Sequence, residues 1–363
     1  MLKLILIALS FVFGILTVRY LRKYDVHEKE PFGKMLAVTA WGGLVSIALS
    51  LFLYSVLHTN GINVRAGFPF SYFFIGFIEE GAKLVALFLC WGLIRNEMDE
   101  PTDGLIYMAC VALGFSLIEN YFYAARNPST TPLIAIRLII CTPMHIAFSI
   151  VMGLAFFRAL RHRGGWNALL WAYVFASVYH TLYDIFVSWW YLLPGLYLVI
   201  KGAYGWMYRL LGYTAATSPF RISLTEFIHT HEAPQIEAGL ECLDCGSTAP
   251  KPTYTLGKIC LQRCDACGAL LCSRRTLVQI MHHFGSTFGH LKIRPIRRQQ
   301  KNLCVLGEAN RIDRKKGIAC FRLDEFDAVL EKMSRNVIAK AERRWWCSGK
   351  KVAGVRDKQC HEN

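Results

Sequence analysis

Ionisable side chains stand inside several of the most apolar stretches of this 363-residue chain. Glu79, Glu80 and Lys83 lie in FIEEGAK, and Glu119 and Asn120 in GFSLIENYFY. The next apolar run carries Arg137 and His145, and the one after it His180 and Asp184 in VYHTLYD. A charge facing lipid is expensive, so such residues turn to a bundle interior and usually serve a function. On a helix Glu79 and Lys83, four apart, share a face and are placed to pair, with Glu80 about 100° round. Phe115, Glu119 and Tyr123 form a second row at the same spacing. His180 and Asp184 form a third, in which the carboxylate can hold one imidazole nitrogen and set the tautomer.

Carboxylates and imidazoles enclosed in a low-dielectric site suit general acid–base work near neutral pH. No serine or cysteine nucleophile stands beside a base in these motifs, and Cys90, Cys110 and Cys141 read as small packing residues. The chemistry is therefore activation of water, hence hydrolysis. Glu79 or Glu80 would be the general base, with His145 or Glu119 sharing the proton. His180, oriented by Asp184, would stabilise an oxyanion or bind a metal; Lys83, also available to an oxyanion, would set the charge of the glutamate pair. Alternatively Glu80, Glu119, His145 and His180 could hold a divalent metal that activates the water. The helical zinc-protease signature HExxH is missing. A different class, a transporter or proton-coupled sensor, could use the same residues as a relay. The internal repeats expected of many transporters are not visible.

These residues need helices that cross a membrane. Seven apolar runs of about 20 residues, the length that spans a ~30 Å hydrocarbon core, fall at 2–20, 35–57, 71–94, 105–125, 133–157, 167–190 and 192–208. The first lacks a small-residue cleavage site and its positive charges follow it, so it reads as a span rather than a signal peptide. Basic residues crowd the first connection (Arg19, Arg22, Lys23, Lys29, Lys34) and the fifth (Arg158, Arg161, Arg163). The positive-inside rule then predicts an outside amino terminus and a cytoplasmic tail. With 1.5 Å rise per residue, Glu79, Glu119, His145, His180 and Asp184 sit at roughly 9–18 Å from the outer face, so they can converge.

The ordered set EEGAK (79–83), FSLIENYFY (115–123), His145 and HTLYD (180–184) resembles the PrsW family of intramembrane proteases, within the CAAX-protease and Abi superfamily. The EKEP loop (28–31), Asp103-Gly104 and Tyr107 add to the likeness, which covers roughly residues 20–190. The resemblance implies proteolysis of a membrane protein, with site-1 cleavage of a single-span anti-sigma factor as the model case, in a bacterial inner membrane. By motif position it implies Glu79, Glu80, Lys83, Glu119, His145, His180 and Asp184 as site residues. The spacing EExxK, where the wider superfamily has EExxxR, and Glu119 in place of a histidine leave metal and glutamate mechanisms both open.

Composition divides the chain. Residues 1–212 carry 16 Lys/Arg, 11 Asp/Glu and three cysteines; residues 213–363 carry 25, 15 and ten. A single soluble domain is excluded, because the apolar runs are too long. The cysteine-rich tail suits a reducing compartment. Cys242, Cys245, Cys264 and Cys267 form C-x2-C-x18-C-x2-C, the spacing of a structural zinc ribbon. Cys260 and Cys272 flank it, and His282, His283 and His290 read as ordinary histidines. The expected organisation is an all-α, seven-span membrane domain (1–212), a linker (213–240), a β-rich zinc-ribbon module (241–275) and a basic tail (276–363). Residues 321–346 of that tail have the apolar spacing of an amphipathic helix. A basic face near anionic lipid is its expected role, ahead of docking a cytoplasmic partner or substrate tail and of nucleic-acid binding.

Overall fold

A computed structural model describes residues 2–62, 70–126, 131–161, 165–189, 192–230, 235–237, 240–256, 259–285, 311–313 and 318–345. The chain forms two compact units, Met1–Phe220 and Arg221–Asn363.

The first unit is helical: α1 Leu2–Leu21, α2 Phe32–Thr59, α3 Phe70–Leu89, α4 Trp91–Ile94, α5 Pro101–Arg126, α6 Thr131–Ile136, α7 Thr142–Arg161, α8 Trp166–Ser188 and α9 Leu193–Ala216. Among the described residues, three helical stretches are long and apolar enough to cross a membrane: Phe32–Thr59, Pro101–Ala125 and Ile134–Arg161. The third stretch is not uniform, since a π-helical segment, Arg137–Cys141, joins α6 to α7. Such segments widen one turn and recur at functional sites. The expected third span also breaks, at Cys90 between α3 and α4.

Helix α5 is the centre of the unit, buried without interruption from Thr102 to Ser116. Close approach is made possible by glycines. A methyl at Gly114 would strike the Thr39 carbonyl of α2, and one at Gly153 of α7 would strike the Gly104 carbonyl of α5. Around this contact α2, α5, α7, α8 and α3 pack each on the next, and α3 packs back on α2. The five helices thus form a ring, and its interior holds the polar residues.

The second unit is an antiparallel six-stranded sheet in the order β1-β2-β3-β4-β6-β5. Its strands are β1 Gln235–Glu237, β2 Lys251–Leu256, β3 Ile259–Arg263, β4 Leu270–Ser273, β5 Arg311–Asp313 and β6 Ile318–Phe321. Side chains alternate across the sheet as the pleat requires. Leu270 and Cys272 join a core with Phe227, Phe284 and Phe326, whereas Leu271 joins Cys242, Cys264 and Cys320 in another.

Two expectations for this region need correction. Residues 213–240 are not merely a linker: α9 continues to Ala216, and α10, Leu224–Thr230, buries Leu224, Phe227 and Ile228 in the second unit's core. The 241–275 module is not closed on itself, because β4 pairs with β6 far along the chain. The helix expected over 321–346 forms as α11, Leu323–Trp345, and its apolar face turns Phe326 and Leu330 into that same core. Helical spacing reports a buried face without saying what buries it. Most of the basic stretch 292–316, with His290, lies outside the described residues.

Candidate active site

Each helix of the ring contributes polar side chains to one buried cluster. Glu79, Glu80 and Lys83 come from α3, Glu119 and Asn120 from α5, His145 and Ser149 from α7, His180 and Asp184 from α8, and Tyr54 from α2. All seven residues expected at the site meet there. Lys83 and Glu80 are wholly buried, and Glu79, His145 and His180 nearly so.

The pairing within the cluster differs from simple helical spacing. Lys83 Nζ bonds Glu80 Oε1 at 2.6 Å, not Glu79, and its charge also lies 4.4 Å from the centre of the Phe115 ring. On one helix the third and fourth neighbours are equally reachable. The choice falls to Glu80 because other helices already complete its shell: Ser149 Oγ donates to Glu80 Oε2 at 2.6 Å and His180 Nδ1 lies 2.9 Å from Oε1. Both oxygens of Glu80 are therefore taken.

Glu79 is the reverse case. Its Oε1 accepts the Tyr54 hydroxyl at 2.9 Å, while its buried Oε2 has no hydrogen-bond partner. That free oxygen lies 3.7 Å from His180 Nε2. With Nδ1–H donating to Glu80, His180 carries its lone pair on Nε2, facing Glu79 and Asp184. The Asp184 Oδ2 lies 3.6 Å from that nitrogen, so Asp184 is a neighbour, and Glu80 rather than Asp184 orients the ring.

His145 links the two sides. Its Nδ1 lies 3.1 Å from Lys83 Nζ and its Nε2 3.2 Å from Glu119 Oε2. The ammonium can only donate, so this arrangement places the His145 proton on Nε2. Its ring meets His180 edge to face at 4.9 Å. Arg137 turns from the π-helical segment into the cluster. Its Nη2 bonds Glu119 Oε2 and its Nε bonds Asn120 Oδ1, each at 2.7 Å, and the guanidinium lies over Tyr123 at 3.8 Å.

One carboxylate and two imidazoles, Glu79, His145 and His180, each offer a ligand atom within 4.8 Å of the others. This donor set and the orphaned Glu79 oxygen fit a divalent metal of the zinc type. It differs from the expected set in having Glu79 where Glu80 and Glu119 were expected. Both Glu80 oxygens are committed to neighbours, and Glu119 is held by Arg137 and His145. His145 would exchange one of its two present contacts for the ion.

These buried acids, imidazoles and cations match what a family of hydrolases would need in lipid, and comparison with known proteins agrees. Residues 30–209 match the family described as PrsW family intramembrane metalloprotease. The Protease PrsW of Geobacillus kaustophilus (strain HTA426) is 30% identical over 173 residues, 47% of this chain and 74% of that protein. The chain belongs to the PrsW family. The Protease PrsW of Bacillus subtilis (strain 168) is 28% identical over 180 residues, 48% of this chain and 79% of that protein. No solved structure matches the chain. The protein is thus an intramembrane protease, and all seven candidate site residues lie inside the matched region, which begins within the EKEP loop. The second unit lies outside it.

Tyr54 and Ser149 escaped the sequence reading. Ser149 follows His145 by four, a signal available in principle. Tyr54 continues the buried row Ser46, Ser50, four residues at a time, but a tyrosine in an apolar helix draws no attention alone.

In the second unit, the two Cys-x-x-Cys turns are near copies. Gly246 and Gly268 both take φ of +73°, and their N–H groups bond the Cys242 and Cys264 carbonyls at 2.8 and 2.7 Å. A side chain is strained in that left-handed conformation, which explains glycine at both places. The Sγ atoms of Cys242 and Cys267, and of Cys245 and Cys264, lie 3.5 Å apart, so four thiols converge in a zinc-competent group. Burial works against ionising Cys242, yet backbone N–H groups of Cys245 and Asp244 hold its pKa down to about 7. Burial and neighbouring thiols push Cys267 up to about 12. Cys260 and Cys272 are not in the group: Cys260 is exposed and Cys272 is packed in the other core.

Proposed function

We propose that the enzyme hydrolyses a peptide bond of a single-span membrane protein, such as a transmembrane anti-sigma factor, near the extracytoplasmic side, with Glu79 at the reacting centre. The observation that carries this is the free, buried Glu79 Oε2 beside the free Nε2 of His180. Both Glu80 oxygens, by contrast, have partners, and Glu119 Oε2 is held by Arg137 and His145. Glu79 Oε2 is where a water proton would be taken up or a cation held, and Glu80 positions His180. Lys83 keeps Glu80 and His145 in register, and Arg137 holds Glu119. Glu79, His145 and His180 would hold a divalent metal, which when bound polarises water and the scissile carbonyl.

The seven apolar helices, α1, α2, α3 with α4, α5, α6 with α7, α8 and α9, are read as seven spans of a bacterial inner-membrane protein. The basic first and fifth connections favour an outside amino terminus and a cytoplasmic second unit. Four thiols at the ribbon's spacing favour a structural zinc there, in a reducing compartment.

The test is cleavage of single-span candidates in cells by wild type, Glu79→Gln and His180→Ala. Loss of cleavage in both is expected; wild-type rates in both would sink the proposal. Metal content of the purified full chain separates the two sites. His180→Ala should lose about one metal per chain and keep the zinc of the second unit.

A further inference from the structure

We infer that Tyr54 is a positioning residue of the hydrolytic site: by holding one oxygen of Glu79, it leaves the other as the reacting atom beside His180. This inference rests on the assignment of Glu79 as the reacting group made above.

The geometry is specific. The Tyr54 hydroxyl donates to Glu79 Oε1 at 2.9 Å, whereas Oε2 is buried and unpartnered. A carboxylate free to rotate would present either oxygen, or both, to His180 Nε2. Fixing Oε1 selects one orientation, and such supporting bonds commonly govern the activity of the group they hold.

The helix bearing Tyr54 is set firmly. Its backbone meets α5 where Gly43 and Gly114 lie so close that a Cβ on either would collide with the other chain segment. Eleven residues, about three turns, separate Gly43 from Tyr54, so both lie on one face of α2. Ser46 and Ser50, both buried, continue that face between them. The glycine contact therefore fixes the height at which the phenol meets Glu79. Tyr54 stands on a helix that carries none of the motif residues, yet it is the sole hydroxyl donor to Glu79 among the described residues.

The test uses the full-length chain in detergent and a single-span reporter selected for cleavage by wild type in cells. Tyr54→Phe should lower kcat by about 10–100-fold with KM nearly unchanged, the usual scale for a lost supporting bond. The melting temperature should stay at the wild-type value. Glu79→Asp shortens the side chain and already withdraws it from the phenol. The double variant Tyr54→Phe/Glu79→Asp should then be no slower than Glu79→Asp alone. Wild-type kcat in Tyr54→Phe, losses that multiply in the double variant, or activity falling only in step with melting temperature each overturn the inference. Glu79→Gln separates the two ideas. If it cleaves as wild type does, the assignment of Glu79 fails; if it is inactive while Tyr54→Phe is unimpaired, only the role of Tyr54 fails.

Discussion

Buried carboxylates gather near both ends of α5, and the two groups are handled in opposite ways. Around Glu119, the acids Glu79, Glu80 and Asp184 interleave with Lys83, Arg137, His145 and His180. Near Asp103, the acids Asp25, Glu30 and Glu100 are as deeply buried, but the nearby cations bond backbone instead. Arg22 Nε donates to the Glu30 carbonyl, and Lys29 Nζ to the Asp25 carbonyl. The carboxyls there meet hydroxyls and amides: Tyr107 donates to Glu30, Ser218 to Glu100, and the Glu100 N–H to Asp103. Burial, with the facing Asp25 adding to it, lifts Glu30 to about 7 and Glu100 to about 8. Burial among other acids thus favours the protonated form of carboxyls that tie loops to a helix end. An unpartnered oxygen alone does not separate the groups, since Asp25 Oδ1 and Glu100 Oε1 are also buried without a hydrogen-bond partner. Cations and imidazoles beside the free Glu79 oxygen make that arrangement suited to hydrolysis.

The largest effect should come from exchanging the two groups as mutational targets. Glu79→Gln should lower cleavage by about 10²–10⁴-fold, the scale of a lost general base. Glu100→Gln should leave the rate near wild type in the same reporter assay. Equal losses would erase the distinction between the clusters.

A smaller effect tests the frame that holds both groups. Gly114→Ala drives a methyl into the Thr39 carbonyl of α2, where backbone has no room to yield. Overpacking of this kind costs about 1–3 kcal/mol and should appear as a lower melting temperature in detergent. An unchanged melting temperature would mean that α2 and α5 are not so tightly joined.

The acid-only group should also set a pH dependence. The folded chain keeps a proton on Glu100 from the ordinary 4.5 up to about 8, whereas the unfolded chain has released it above 4.5. Stability should therefore fall as pH rises across that window, because the folded state binds more protons there. Glu100→Gln should flatten this slope in melting curves taken between those limits. A slope unchanged by the substitution would remove Glu100 from the explanation.

The smallest effect belongs to the rim of the same region. Lys34 and Glu97 pair at 2.5 Å with side chains a third and a quarter exposed. Lys34→Ala should cost about 0.2–1 kcal/mol, diminishing further in high salt. A larger loss would show that this pair belongs to the buried group.

Much of this was legible in the linear order of residues. Charges interrupting apolar runs marked α3, α5, α7 and α8 as the helices carrying chemistry, because lipid tolerates such residues only for a reason. Two Cys-x-x-Cys turns, each followed by glycine, marked the thiol group, since their local backbone largely dictates where the sulfurs point. The continuation of the ribbon's sheet through β6 and the covering of α11 were not legible, because a pleat or an apolar stripe carries no label for its partner.

Sequence by itself determined the family, the predominance of apolar helices and the seven residues that meet in the ring. Tertiary structure alone decided what each does. Lys83 could reach Glu79 or Glu80 by helical spacing, and it pairs with Glu80. Ser149 and His180, brought from 69 and 100 residues away, complete the bonding of that carboxylate. Tyr54, from a fifth helix, takes one oxygen of Glu79 and leaves the other bare. Within the ring, which acid remains reactive is a question of unfilled hydrogen-bonding capacity beside an imidazole, and that is set by neighbours distant in the chain.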